Sequence, residues 1–184
     1  MASQNGVQAF TATPNLISPR TDEFCCCFDL TADFISSAAN LGYAAAGGLA
    51  TNITPPQPPT TAFLLISAGG YPSPVINATP LEWVLRARQG ATEALITTGV
   101  TATPGVKYTF KLCRVAGDPA NPGNTTFRVT VNGGAEQLLQ LNTLAVPSGT
   151  IPASLVAFTD IGVSQGNQQV VCDQFCADKI AGGN

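Results

Sequence analysis

The strongest constraint on this chain is a two-residue hydrophobic period, repeated in short runs that are cut by Gly, Pro and Asn. It is cleanest at "FCCCFDLTADF". Phe24, Cys26, Phe28, Leu30, Ala32 and Phe34 fall on one face of an extended strand, and Cys25, Cys27, Asp29, Thr31 and Asp33 on the other. The same alternation recurs. "LEWVLRAR" sets Leu81, Trp83, Leu85 and Ala87 against Glu82, Arg86 and Arg88. "VKYTFKLCRV" sets Val106, Tyr108, Phe110 and Leu112 against Lys107, Thr109, Lys111 and Cys113. "TTFRVTVNGG" turns Phe127, Val129 and Val131 inward and closes on an Asn-Gly turn signal. "TAFLLISA", "TEALITT", "AEQLLQLNTL", "ASLVAFTDIGV" and "QQVVCDQFCADKI" complete the set. Short punctuated strands of this kind specify an all-β, jelly-roll-like β-sandwich.

Two segments break the pattern. Residues 1–22 are mostly polar and interrupted by Pro14 and Pro19. They are expected to form an extended N-terminal arm or connector, with residues 23–184 as the sandwich domain. Val7, Phe10, Leu16 and Ile17 would be wasted in a solvating tail, so the arm is a candidate to dock on a neighbouring subunit. The stretch from Ile35 to Thr61 is rich in Ala, Gly and Pro. It reads as a connection, with a short helical turn around Ser37 to Tyr43 and a polyproline-like run at Pro55 to Pro59.

The six cysteines carry most of the functional information. Parity turns Cys25, Cys27 and Cys113 away from the core and Cys26 toward it. The same reasoning puts Cys172 and Cys176 together on an outward face. Three chemistries remain open. Disulfides within the domain could staple the first cysteine strand to the last, closing a loop of about 145 residues. Bonds between subunits could use Cys25, Cys26, Cys27, Cys113, Cys172 or Cys176. Metal binding is the third, but the triplet supplies no second paired knuckle for "CDQFC".

Other function classes are narrowed by what the chain contains. With no histidine it cannot run a Ser-His-Asp or Cys-His mechanism. No spacing singles out a carboxylate pair or a phosphate loop. The chain is therefore expected not to be an enzyme, and to need no cofactor or metal. A net charge of -3 without a basic cluster argues against nucleic acid. No long apolar run predicts membrane insertion. Only 10% of residues are charged, so repulsion between copies is weak.

"GVTATPGVKYTFKLCRV" followed by "NTTFRVTVNGG" resembles jelly-roll modules, carbohydrate-binding ones included. The signal-less arm, the cluster "CCCFDLTA" and the late "FCADKI" resemble jelly-roll fibre subunits of the bacterial endospore appendage type. That resemblance implies a self-assembling homopolymer of an extracellular or spore/cell surface. Disulfides would stabilise it, and it would be released without a classical signal peptide. The alternatives are a carbohydrate-binding module and a virion capsid or tail decoration protein.

Overall fold

The computed structural model describes residues 7–32, 43–51, 61–69, 82–115, 122–158 and 170–180. They form eleven strands: β1 (Val7–Ile17), β2 (Phe24–Ala32), β3 (Tyr43–Ala50), β4 (Ala62–Gly69), β5 (Glu82–Gln89), β6 (Thr92–Thr101), β7 (Lys107–Arg114), β8 (Asn124–Val131), β9 (Gln137–Asn142), β10 (Ile151–Phe158) and β11 (Val170–Lys179). One sheet runs β1-β10-β3-β4-β5-β6 and the other β11-β2-β7-β8-β9. Each neighbouring pair is antiparallel. The chain changes sheet after β1, β2, β6, β9 and β10, which makes the sandwich jelly-roll-like.

The inner faces carry the expected residues. Phe24, Cys26, Phe28 and Leu30 of β2 are buried with Tyr108, Phe110 and Leu112 of β7 and Phe127, Val129 and Val131 of β8. Leu64 and Ile66 of β4, and Trp83, Leu85 and Ala87 of β5, come from the opposing sheet. At the centre the Trp83 ring meets Phe110 at 4.7 Å and Tyr108 at 5.2 Å, both edge-to-face. Phe28 stands 5.5 Å from Phe110. Such contacts add to the area term because a positive ring edge meets a negative face.

Tyr108 is also fixed by its hydroxyl. It donates to the Thr101 carbonyl at 2.8 Å and accepts from the Thr103 amide at 3.1 Å. That ties β7 to the preceding turn, where the Val106 amide reaches the Thr103 carbonyl across Pro104 and Gly105. Gly105 has φ +72°, as the third position of a type II turn requires. Val106, expected to point inward, is 40% exposed because it belongs to this turn and not to the strand.

Three further expectations are corrected. "YAAAGGLA" is a central strand, β3, not a connection with a helical turn at Tyr43. The reason lies at Gly48, where φ is +144° and a Cβ would run into the Leu64 carbonyl on the neighbouring strand. The small residues let the two backbones approach. Residues 37–42 and Pro55–Pro59 lie outside the described residues.

Next, residues 7–17 are extended, but they pair with β10 of the same chain, from Val7 opposite Phe158 to Ile17 opposite Ile151, with a register shift between Thr11 and Leu16. Ile17 is a core residue. The corner that follows is anchored as well. Asp22 Oδ2 accepts from the Ser18 amide at 2.9 Å, and Arg20 donates to the Val146 and Leu144 carbonyls at 2.6 and 3.2 Å.

Finally, Arg86 does not face solvent. Its side chain is wholly buried and stands 3.3 Å from Glu93 of β6. Phe63, Leu65, Ser67 and Val84 share the outer face of β4 and β5 with it and are buried too. These two strands are therefore buried on both faces.

Two substitutions test this packing by chemical denaturation. Phe110→Ala is expected to cost about 3–5 kcal/mol through the cavity it leaves. Gly48→Ala is expected to cost about 1–3 kcal/mol, since the strand must shift away from Leu64 or keep a strained backbone.

Candidate functional site

The outer face of the five-stranded sheet gathers the outward cysteines. Cys25 of β2 lies directly opposite Cys113 of β7, and the two are joined by a disulfide with their Cα atoms 4.1 Å apart. Close approach of this kind belongs to non-hydrogen-bonded antiparallel pairs, where side chains are nearest. In the next row Cys27 lies opposite Lys111 on one side and Cys176 of β11 on the other. Arg128 of β8 is opposite Cys113, and Thr130 is opposite Lys111. A groove of about 450 Å³ runs across these rows. Cys25 and Cys113 line it with Glu23, Lys111, Arg114, Val115, Arg128, Thr130, Glu136 and Ile180.

The charges in the groove are arranged around the disulfide. Arg128 and Glu136 pair at 3.4 Å at its exposed rim. Arg114 donates to the Thr21 and Asp22 carbonyls at 3.3 and 3.4 Å, closing one end against the β1–β2 corner. Partial burial pushes the Arg114 pKa down, while Glu23 and Asp22 pull it up. It stays charged at neutral pH because its ordinary value is so high. Further along the same face, Lys107 pairs with Asp29 at 2.7 Å.

The structure treats the six cysteines differently. Cys25 and Cys113 are joined within a single sheet, from the second strand to the seventh. Cys26 is fully buried in the core and Cys27 is half-buried on the outer face, as parity requires. The β11 reading needs correction. Cys172 holds the position opposite the core residue Leu30, whereas Cys176 is opposite Cys27. An extra residue between Asp173 and Phe175 breaks the register, so one parity does not run through the strand. Among the described residues no group of three His, Cys, Asp or Glu is placed to hold a metal ion.

The proposed arm residues also separate. Val7 and Phe10 occupy β1 positions opposite Phe158 and Leu155, Ile17 is in the core, and Leu16 is exposed. Sequence reasoning missed Arg20, Arg114 and Arg128. The one available signal was that Arg128 and Lys111 fall on the outward parity of two adjacent strands.

No protein-family model matches the sequence, and no curated protein matches it. Solved structures do share the fold. The alginate lyase Aly36B superposes with a TM-score of 0.54 at 10% identity, over 96% of this chain and 78% of that one. A heptameric SAP-like pentraxin from Limulus polyphemus gives 0.50 at 12% identity, over 98% and 76%. An endo-beta-1,4-glucuronan lyase from the fungus Trichoderma reesei gives 0.50 at 12% identity, over 95% and 80%. At these identities the likeness is one of fold, and it agrees with the jelly-roll topology.

The disulfide closes a loop with a sequence separation of 88 residues. Replacing both cysteines by alanine is expected to cost about 2–5 kcal/mol by the chain-entropy argument. The β2–β7 ladder should keep the fold intact. Urea titration with far-UV circular dichroism reads both quantities.

Proposed function

We propose that this chain is a structural subunit of a self-assembling, disulfide-stabilised fibre on an extracellular, spore or cell surface, and that it is not an enzyme. The observation that carries the reading is the edge strand β9. Sheet edges normally carry a charge, a proline or a bulge that blocks further pairing. β1 has Pro14 and a register irregularity, and β6 and β11 each have an irregularity. β9, "QLLQLN", has none of these guards. Leu138 on it is 65% exposed, and Leu144 just beyond is 66% exposed. An edge of this kind suits addition of a strand from a second copy. The low charge of the chain leaves little repulsion to oppose it.

One feature supports the extracellular setting, since a disulfide persists in oxidising compartments. The N-terminal segment has a different part from the one expected of an arm. Since β1 completes a sheet and Ile17 completes the core, deleting it would test folding more than assembly.

A carbohydrate-binding role has one observation in its favour, the cationic groove of Lys111, Arg114 and Arg128. Such a site would suit an acidic polysaccharide such as alginate. Against it, Trp83 and Tyr108 are buried and offer no stacking platform for a sugar.

The edge is tested with Leu138→Lys. Electron microscopy of the unchanged protein is expected to show fibres. The variant should lose them while its thermal midpoint stays within a few degrees, because the site is exposed. Fibres that persist in the variant would remove β9 as the junction. Sedimentation with an insoluble acidic polysaccharide, with no fibres formed by the unchanged protein, would favour the second reading.

A further inference from the structure

The surroundings of the Cys25–Cys113 bond differ from one sulfur to the other. Cys113 lies directly opposite Arg128, two residues from Lys111 on the same face, and beside Arg114 in the chain. All three cations line the groove that the disulfide shares. Cys25 has the acidic Glu23 two residues before it, on the wall of the same groove. Exposure has the same asymmetry, with Cys25 half-buried and Cys113 only 9% exposed.

Thiol–disulfide exchange is sensitive to both properties. The attacking thiolate needs access to one sulfur, and the other must depart carrying negative charge. Neighbouring cations stabilise a departing thiolate, and a neighbouring carboxylate does the opposite. Of the groups around the bond, Lys111, Arg114 and Arg128 favour charge on Cys113, with Glu136 partly offsetting Arg128. Glu23 opposes charge on Cys25.

We propose that Cys25–Cys113 is an exchange-active disulfide with a fixed polarity, in which Cys25 is captured and Cys113 leaves. An incoming thiolate attacks Cys25 Sγ. The Sγ–Sγ bond breaks with its electron pair on Cys113 Sγ, and a new bond joins Cys25 to the incoming sulfur. The proton of the incoming thiol passes to solvent, and the Cys113 thiolate is held among Lys111, Arg114 and Arg128. One disulfide is consumed and one formed, so no oxidant is required. The inference deepens the assembly reading, since in a fibre the incoming sulfur is a cysteine of a second copy. It would then turn an internal bond into a link between subunits.

The test uses the single chain and a small neutral thiol, so it can fail or succeed independently of fibre formation. Accessible thiols of the oxidised protein are first blocked with N-ethylmaleimide. The protein is then treated with limiting 2-mercaptoethanol, quenched in acid and labelled with heavy N-ethylmaleimide. Fragmentation mass spectrometry locates each label. The expected result is mercaptoethanol on Cys25 and heavy label on Cys113, in at least about tenfold excess over the reverse. Equal labelling, the reverse assignment, or no reaction in the folded chain overturns the proposal. Arg128→Gln is expected to slow the exchange about threefold to tenfold, and Glu136→Gln to accelerate it. Rates unchanged in both variants overturn the role given to the cations.

Discussion

The edge-to-face packing of Trp83 on Phe110 and Tyr108 is the contact on which the rest of the sandwich depends. It is where β5, next to the edge of one sheet, meets β7, the middle strand of the other. With alternate residues of β7 committed to that cluster, the intervening ones have no choice of face. Lys111 and Cys113 are outward because Phe110 and Leu112 are inward. The outer groove is thus a by-product of core packing. A one-residue slip of β7 would put Phe110 and Leu112 in water and take Cys113 away from Cys25.

How legible this was depended on whether a strand's composition matched its environment. β2, β7 and β8 have one face in the core and the other turned outward, and their alternation gave the right orientation for nearly every residue of those three strands. β4 and β5 are buried on both faces, so alternation lost its meaning and Arg86 was misplaced. β3 was unreadable because its Gly and Ala residues serve a close backbone approach, which resembles a loop in composition. β11 was readable as a strand but not in phase, since a bulge leaves no mark in a single sequence. β1 looked like an arm because the β10 strand that completes it lies some 140 residues away in the chain.

The candidate site was legible in part for the same reason. Cys25, Cys27 and Cys113 could be assigned to an outward face, but which strand lies beside which is a property of topology. β2 lies between β7 and β11, and the register, with Cys25 opposite Cys113 on one side and Asp178 on the other, makes Cys113 and not a later cysteine its partner. The adjacency of β7 and β8 then brings Arg128 to the same bond. The β2–β7 adjacency does not follow from local periodicity, because those strands are distant in sequence, whereas β7 and β8 are consecutive.

The placement of the disulfide also decides how the molecule would carry load. A pull on the two termini enters the second strand at Cys25 and crosses directly to Cys113 through the covalent bond. The 88-residue separation between them is bypassed, and with it β3, β4, β5 and β6. At about 3.4 Å per residue, roughly 300 Å of chain is withheld from stretching. Under tension the bonded molecule can give way only at its outer segments, β1 at one end and the strands after β7 at the other. The same molecule with the bond opened has no such limit. Its extensibility is therefore set by the state of a single pair of sulfur atoms on its surface.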